Sequence, residues 1–317
     1  MTPTQERKHL TDLALNLDFD DVGFASATDG TPHSDHFLAA VEAGHLAPLD
    51  YMQDTAAARA DIQALMPGAK TVMVVVKNYF TGHHQHHSVS DLEEPNAKVS
   101  RYAWGRDYHQ WMRKRLRKLR KSILAYSEDT EREVRIFSDT SPVLERAWAQ
   151  KAGLGFVGKS AMFIHRKMGT WTFLGGVVLS WDVVPDAPVV SQFCGTCTKC
   201  MDHCPTQAFV GPGQLDARRC ITTWNVERPL VAEADHAPGE GSGWGFGCDV
   251  CQEVCPWNKF ETTTNEARFQ PQAGHVWLAE SLADLPEDLS GTAFARAKRV
   301  GVQRSVQRAL KRGKGQS

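Results

Sequence analysis

The sequence predicts an α+β chain: a mixed α/β domain over residues 1–185, a small cysteine-rich domain over 186–262, and a short helical, basic segment over 263–317. Three observations carry this. Helix-period and strand-type segments follow one another through the first half of the chain. All eight cysteines fall between Cys194 and Cys255. After Asp288 there is no acid, whereas Arg296, Lys298, Arg299, Arg304, Arg308, Lys311, Arg312 and Lys314 follow.

Taken in order, residues 4–16 have helical periodicity. Residues 71–76, TVMVVV, form an apolar run of the kind that makes a buried strand, entered through the turn Pro67-Gly68. The polar stretch 82–90 carries His83, His84, His86 and His87 and reads as an exposed loop rather than a metal site. Residues 107–126 predict a long helix with a basic stripe of Arg113, Lys114, Arg115, Arg117, Lys118, Arg120 and Lys121. A short strand follows at 134–137, then a helix over 142–152 that Gly153 is placed to end. Residues 172–181 are of strand type and accommodate Gly175 and Gly176. Composition shifts at 182–188, which marks the domain junction. A glycine-rich loop over 238–247 interrupts the cysteine module, and the tail from 281 onward reads as helical.

Hydrophobic residues make up 42% of the 317 positions, enough for a sizeable core. No apolar run approaches the ~18 residues of a membrane span, and the polar N-terminus shows no targeting pattern. These features predict a cytoplasmic protein without a membrane partner. The net charge of -1 conceals the two basic stripes. A solvated helix face and a frayed tail would explain them, and so would a polyanionic partner.

The cysteine spacing is the strongest chemical signal. The first run is Cys194-x2-Cys197-x2-Cys200-x3-Cys204-Pro205, the bacterial signature for a [4Fe–4S] cluster, in which the fourth cysteine crosses to the other cluster. The second is Cys248-x2-Cys251-x3-Cys255-Pro256, with Gly245 where its first cysteine should stand. Cys220 completes the set. Cys194, Cys197, Cys200 and Cys255 are assigned to one cluster, and Cys204, Cys220, Cys248 and Cys251 to the other. An even count also permits disulfides, which a cytosolic setting disfavours. Two four-cysteine zinc sites are a further alternative, although zinc ribbons use paired C-x2-C knuckles.

Residues 153–160, Gly-Leu-Gly-Phe-Val-Gly-Lys-Ser, match a phosphate-binding loop, G-x4-G-K-[ST], and also G-x-G-x-x-G. Both motifs need a strand before and a helix after. Here a helix precedes and a short apolar segment follows, so a nucleotide site is disfavoured. A turn where backbone approaches a large ligand is the better reading.

Clusters carry single electrons, and a domain of this size beside them must accept those electrons. The residues alone lead to a redox enzyme with a second cofactor. The chain resembles the epoxyqueuosine reductases, cobalamin-dependent iron–sulfur enzymes of queuosine-tRNA synthesis. The resemblance rests on Arg59 with 65–70 (LMPGAK), 100–109 (SRYAWGRDYH), 139–146 (DTSPVLER), 152–159 (AGLGFVGK), the cysteine module and 246–258 (FGCDVCQEVCPWN). It implies a base-off cobalamin in a nitroreductase-like α/β domain followed by a ferredoxin-like domain with two [4Fe–4S] clusters. It implies reduction of the epoxide of epoxyqueuosine at the tRNA wobble position, with Asp139 as proton donor, because a carboxyl shielded from water can hold a proton near neutral pH. A helix N-cap is the structural alternative for Asp139. Cobalamin contacts are expected from Arg59, Tyr102, Asp139, Lys159 and Ser160, where many relatives carry Asn in place of Ser160. With tRNA as substrate, the basic stripes become phosphate contacts, led by Arg113, Arg117, Lys298, Arg299 and Arg304. An external electron donor is required, and a monomer is expected. A corrinoid reductive dehalogenase relative and a non-catalytic iron–sulfur carrier are the competing functions.

Overall fold

A computed structural model describes residues 2–82, 96–126 and 129–311. Its strands are β1 (Asp21–Ser26), β2 (Thr71–Asn78), β3 (Asn96–Val99), β4 (Val134–Phe137), β5 (Gly155–Val157), β6 (Phe163–His165), β7 (Thr172–Leu179), β8 (Phe209–Gly211), β9 (Gln214–Leu215), β10 (Trp244–Phe246) and β11 (Trp277–Ala279). The longer helices are α1 (Pro3–Leu15), α2 (Ser34–Glu42), α3 (Tyr108–Tyr126), α4 (Glu145–Lys151) and α5 (Lys298–Leu310).

The central sheet has the order β1-β2-β7-β4, and each neighbouring pair is antiparallel. All eight residues of β2 are buried. Successive side chains of a strand leave on opposite faces. Met73 and Val75 therefore join Trp111, Met112, Leu116 and Leu119 of α3 and Leu10 of α1. Val72, Val74 and Val76 join Ile62, Met66 and Trp148 of α4. Helices thus cover both faces, which is why the strand reads as an unbroken apolar run. Each large side chain buried in these layers stabilises the fold by about 1.5–3 kcal/mol. The opposite side of α3 presents Arg113, Lys114, Arg117 and Lys118 to solvent. Arg115 leaves that stripe, and Arg120 stays exposed but is tied to β4. Arg115 pairs with Asp18 at 3.0 Å and Glu266 at 3.3 Å, and Arg120 donates to the Val134 carbonyl.

A second sheet joins distant parts of the chain. β3 pairs parallel with β10 and antiparallel with β11. Trp104, Phe246, Leu278, Phe294, Val302 and Val306 share the core beneath it. The segments 1–185, 186–262 and 263–317 all contribute to that core. The expectation of a helical tail from residue 281 needs correction. Helix is confined to a turn at Ala293–Arg296 and to α5. Leu278, Leu282, Leu285 and Leu289 have helical spacing and are all buried, but Leu282 has φ 53° and Pro286 stands among them. The backbone turns there instead, and the spacing reports burial without a helix. The histidines at 83, 84, 86 and 87, and Arg312 and Lys314, lie outside the described residues.

Candidate active site

Asp139 sits in the turn between β4 and α4 with φ 37°, a left-handed conformation that Asp tolerates better than most residues. It does not cap α4, which starts at Glu145 behind Leu144 and has no side-chain cap. Its carboxylate faces α3 instead, with Oδ2 2.8 Å from His109 Nε2. The other ring nitrogen of His109, Nδ1, lies 2.7 Å from Asp107 Oδ1. Asp107 stands one residue before α3 and also accepts the His109 backbone N–H at 2.9 Å, as an N-cap does.

Both carboxylates can be satisfied together only if both ring nitrogens carry protons. Burial opposes charge on His109, but the hydrogen bonds to Asp107 and Asp139 more than offset it and hold its pKa up to about 9. Burial likewise pushes both aspartates up, and the bonds to His109 outweigh it, so each lies below the usual carboxylate range. At neutral pH the site holds an imidazolium between two carboxylates. Asp139, expected as the proton donor, thus has a protonated imidazole one hydrogen bond behind it.

Aromatic rings fix this arrangement. Tyr108 stacks on Phe173 at 4.0 Å and on His109 at 4.0 Å, and its hydroxyl hydrogen-bonds Asp139. Burial holds the Tyr108 phenol well above its ordinary pKa, so it stays protonated. Tyr102 meets Tyr108 edge-on at 6.3 Å.

The cationic rim comes from two distant segments. Arg59 and Arg296 lie 5.9 and 5.8 Å from the Tyr51 ring centroid. Arg59 is buried and donates to Thr55 Oγ1 at 3.0 Å and to the Val143 carbonyl at 3.3 Å. Arg296 pairs with Glu227 and lowers the Asp139 pKa from a distance. Burial, with Glu227 next, pushes Tyr51 up to about 12. Glu145 is the unusual member. Its Oε1 is buried without a hydrogen-bond partner, and burial, reinforced by Asp139, pushes its pKa up to about 8. A small open pocket beside His109 is lined by Arg113, Ser138, Thr140 and Ser141.

The cysteines lie close enough to raise one another's pKa, within the two expected sets and between them: burial raises Cys251 most, and Cys220, Cys200 and Cys204 add to it. Burial, followed by Cys194, Cys200 and Cys197, pushes Cys255 up to about 11. Burial raises Cys248, with Cys251 and Cys220 adding, and burial raises Cys220, with Cys204 adding. All eight thiols are free of disulfides. Among the described residues, no three His, Cys, Asp or Glu side chains converge closely enough for one metal ion. Gly245 occupies β10, where an added Cβ would lie 2.8 Å from Ala97 Cβ and 2.9 Å from Val306 Cγ2. The strand has no room for a thiol at that position.

The chain matches the family described as epoxyqueuosine reductase QueG, DUF1730, over residues 59–140, and a 4Fe–4S double cluster binding domain over 193–258. An epoxyqueuosine reductase of Pseudomonas aeruginosa is 37% identical over 305 residues, covering 95% of this chain and 83% of that protein. One from Synechocystis sp. is 38% identical over 256 residues, covering 78% and 86%. The chain belongs to the epoxyqueuosine reductase family. It is an oxidoreductase with a double [4Fe–4S] module. The fold agrees: a crystal structure of an epoxyqueuosine reductase with an epoxyqueuosine-modified tRNA-Tyr stem loop superposes with a TM-score of 0.84 at 26% identity, covering 98% of this chain and 82% of that one.

The structure brings Arg59, Tyr102 and Asp139 into one site. Ser160 is buried on the β5–β6 hairpin, where its Oγ accepts the Met162 N–H. Lys159 lies beside it, but its ammonium is engaged with the carbonyls of Gly195 and Cys197. Arg299 is also engaged: it donates to the carbonyls of Leu282, Leu285 and Pro286 and acts as a staple beneath α5. Arg113 and Arg117 stand exposed on α3, Lys298 is exposed, and Arg304 is half-buried. Sequence reading overlooked His109, Tyr108, Glu145, Glu227 and Arg296. Asp107-Tyr-His109 at a helix start was the available signal. Arg296 had none beyond its place in the basic tail.

Proposed function

We propose that this enzyme reduces epoxyqueuosine to queuosine at the wobble position of tRNA, in the cytoplasm and as a monomer, with electrons from an external protein or chemical donor. The observation that carries the reading is the Asp107–His109–Asp139 chain, a charged proton store ending on a carboxylate that faces a site beside the iron–sulfur module. Opening the epoxide to an alkene consumes two electrons and two protons and releases water. His109 holds one proton at neutral pH and passes it through Asp139 to the epoxide oxygen, the second proton comes from solvent water as the oxygen leaves, and Asp107 keeps the ring oriented. Tyr108 stays neutral and fixes the Asp139 carboxylate. In the Bacillus subtilis epoxyqueuosine reductase, a catalytic aspartate loop swings out of the active site, and the left-handed turn at Asp139 suits such a motion.

Cys194, Cys197, Cys200 and Cys255 hold one cluster, and Cys204, Cys220, Cys248 and Cys251 hold the other. Arg59, Tyr102 and Ser160 are the residues we assign to a base-off cobalamin. The donor set fits: the site offers buried polar groups, among them the unpartnered Glu145 Oε1, to an amide-rimmed macrocycle. The clusters and cobalamin, when bound, supply single electrons and low-valent cobalt chemistry. Arg113, Arg117, Lys298 and Arg304 supply phosphate contacts, which set register and affinity. The wobble base must leave its stack to reach a recessed site.

The test is anaerobically reconstituted protein, with and without cobalamin, acting on tRNA that bears epoxyqueuosine, read by nucleoside mass spectrometry. Queuosine should form only with cobalamin and reductant. Unchanged epoxyqueuosine from fully loaded protein would overturn the proposal.

A further inference from the structure

The phosphate-loop string at 153–160 has another use. Gly158 and Lys159 lie in the turn of the β5–β6 hairpin, and this hairpin is the surface on which the first cysteine loop rests. The Phe156 ring meets Phe193 at 5.4 Å and Trp257 at 5.2 Å. Phe156, Ile164 and Val189 form a small core that packs against Cys194 and Cys255. Polar contacts complete the seam: Gln192 Nε2 donates to the Val157 carbonyl at 3.0 Å, and the Gly213 N–H donates to the Lys159 carbonyl at 2.9 Å. A Cβ on Gly158 would lie 2.6 Å from Ile164 Cδ1 and 3.5 Å from Cys194 Sγ. The hairpin backbone therefore comes close to a ligand sulfur.

Lys159 Nζ donates to the Gly195 carbonyl at 2.7 Å and to the Cys197 carbonyl at 3.0 Å. Both acceptors are neutral and lie inside the loop that carries Cys194 and Cys197. The ammonium brings a positive charge to that loop, and neither of these partners cancels it.

We propose that Lys159 sets the reduction potential of the cluster held by Cys194, Cys197, Cys200 and Cys255, by fixing the Gly195–Cys197 turn and placing its charge against it. The inference rests on the cysteine assignment above. Reduction adds one electron to the cluster and breaks no bond. A nearby cation stabilises the more negative state, and cluster potentials follow net charge and hydrogen bonding around the sulfurs. Lys159 is a positioning residue: it touches the loop, not the substrate.

The test is an anaerobic redox titration followed by electron paramagnetic resonance, with iron analysis, on the reconstituted full chain and its Lys159→Gln and Lys159→Arg variants. In Lys159→Gln, one of the two midpoints should move to lower potential with iron content unchanged, while the other stays in place. Lys159→Arg keeps the charge and should retain both wild-type midpoints. Unmoved midpoints in Lys159→Gln with full iron would overturn the inference. So would a drop in Lys159→Arg as deep as in Lys159→Gln, or loss of half the iron in Lys159→Gln, which would mark a purely structural role. Wild-type protein without iron would remove the cysteine assignment and this inference together; iron-loaded wild type with unmoved variant midpoints removes the inference alone.

Discussion

Replacing Asp139 with Asn tests the proton store directly. The change keeps the side-chain shape and removes one of the two charges that hold the His109 proton at 2.8 and 2.7 Å. A hydrogen bond to a charged group contributes about 1.5–3 kcal/mol. The Asp139 side chain is 51% exposed, so solvent screening places the loss at or below the lower end. At about 1.4 kcal/mol per pH unit, the His109 pKa should fall from about 9 to roughly 8. The sign follows from a histidine whose folded pKa lies above its ordinary 6.5. Its proton is fully in place below 6.5 and is lost as pH rises through about 9. Single-turnover deoxygenation followed by nucleoside mass spectrometry should be level through neutral pH in the wild type and decline around pH 9. In Asp139→Asn the decline should begin about one pH unit earlier. The plateau should also drop by roughly 10²–10⁴-fold, the usual contribution of a positioned acid. A variant with the wild-type plateau and the wild-type alkaline limb would refute the relay.

Glu145→Gln removes a carboxyl whose pKa is raised from 4.5 to about 8. Wild type should lose stability relative to the variant as pH rises through that window, seen in calorimetric melting temperatures; parallel curves would count against the assignment. Cys255→Ser should halve the iron content and leave one cluster spectroscopically intact, whereas loss of all iron or none would contradict the partition. Gly247→Ala should lose about 1–3 kcal/mol or fail to load iron beside Cys248, because its φ is 70° and an added Cβ would lie 2.1 Å from Ser100 Oγ; a normally loaded, equally stable variant would show that the turn relaxes. Arg113→Gln with Arg117→Gln should weaken tRNA binding and reduce the slope of log affinity against log salt by roughly 1–2, and an unchanged slope would remove α3 from the interface.

Much of the frame was legible because it rests on periodicity and spacing. The β2 run, the α3 stripe and the cysteine signatures each state their structure locally. The phosphate-loop string was recognisable as misleading because a helix, not a strand, leads into it, and α4 followed by the β5–β6 hairpin agrees. The proton store was not legible. His109 and Asp139 are thirty residues apart, and only the antiparallel packing of β4 beside α3 brings them together. Arg296 reaches the site through an ion pair with Glu227, at the end of a π-helical turn whose sequence carries no periodic signal. The leucines of 278–289 show the opposite failure, where helical spacing arises from turns that face one core.

The pairing of β3 has a consequence for how the molecule is made. This strand is finished early in synthesis, yet both of its neighbours, β10 and β11, leave the ribosome much later. Its backbone groups are paired only with water while the cysteines are being translated. The last helix then closes over the sheet, so the binding loops acquire their final backing only when the polypeptide is nearly complete. Iron delivered by the cell's assembly machinery therefore meets either an open, solvent-swept nascent chain or a finished one, and a protein cut short before α5 would offer thiols without a settled scaffold.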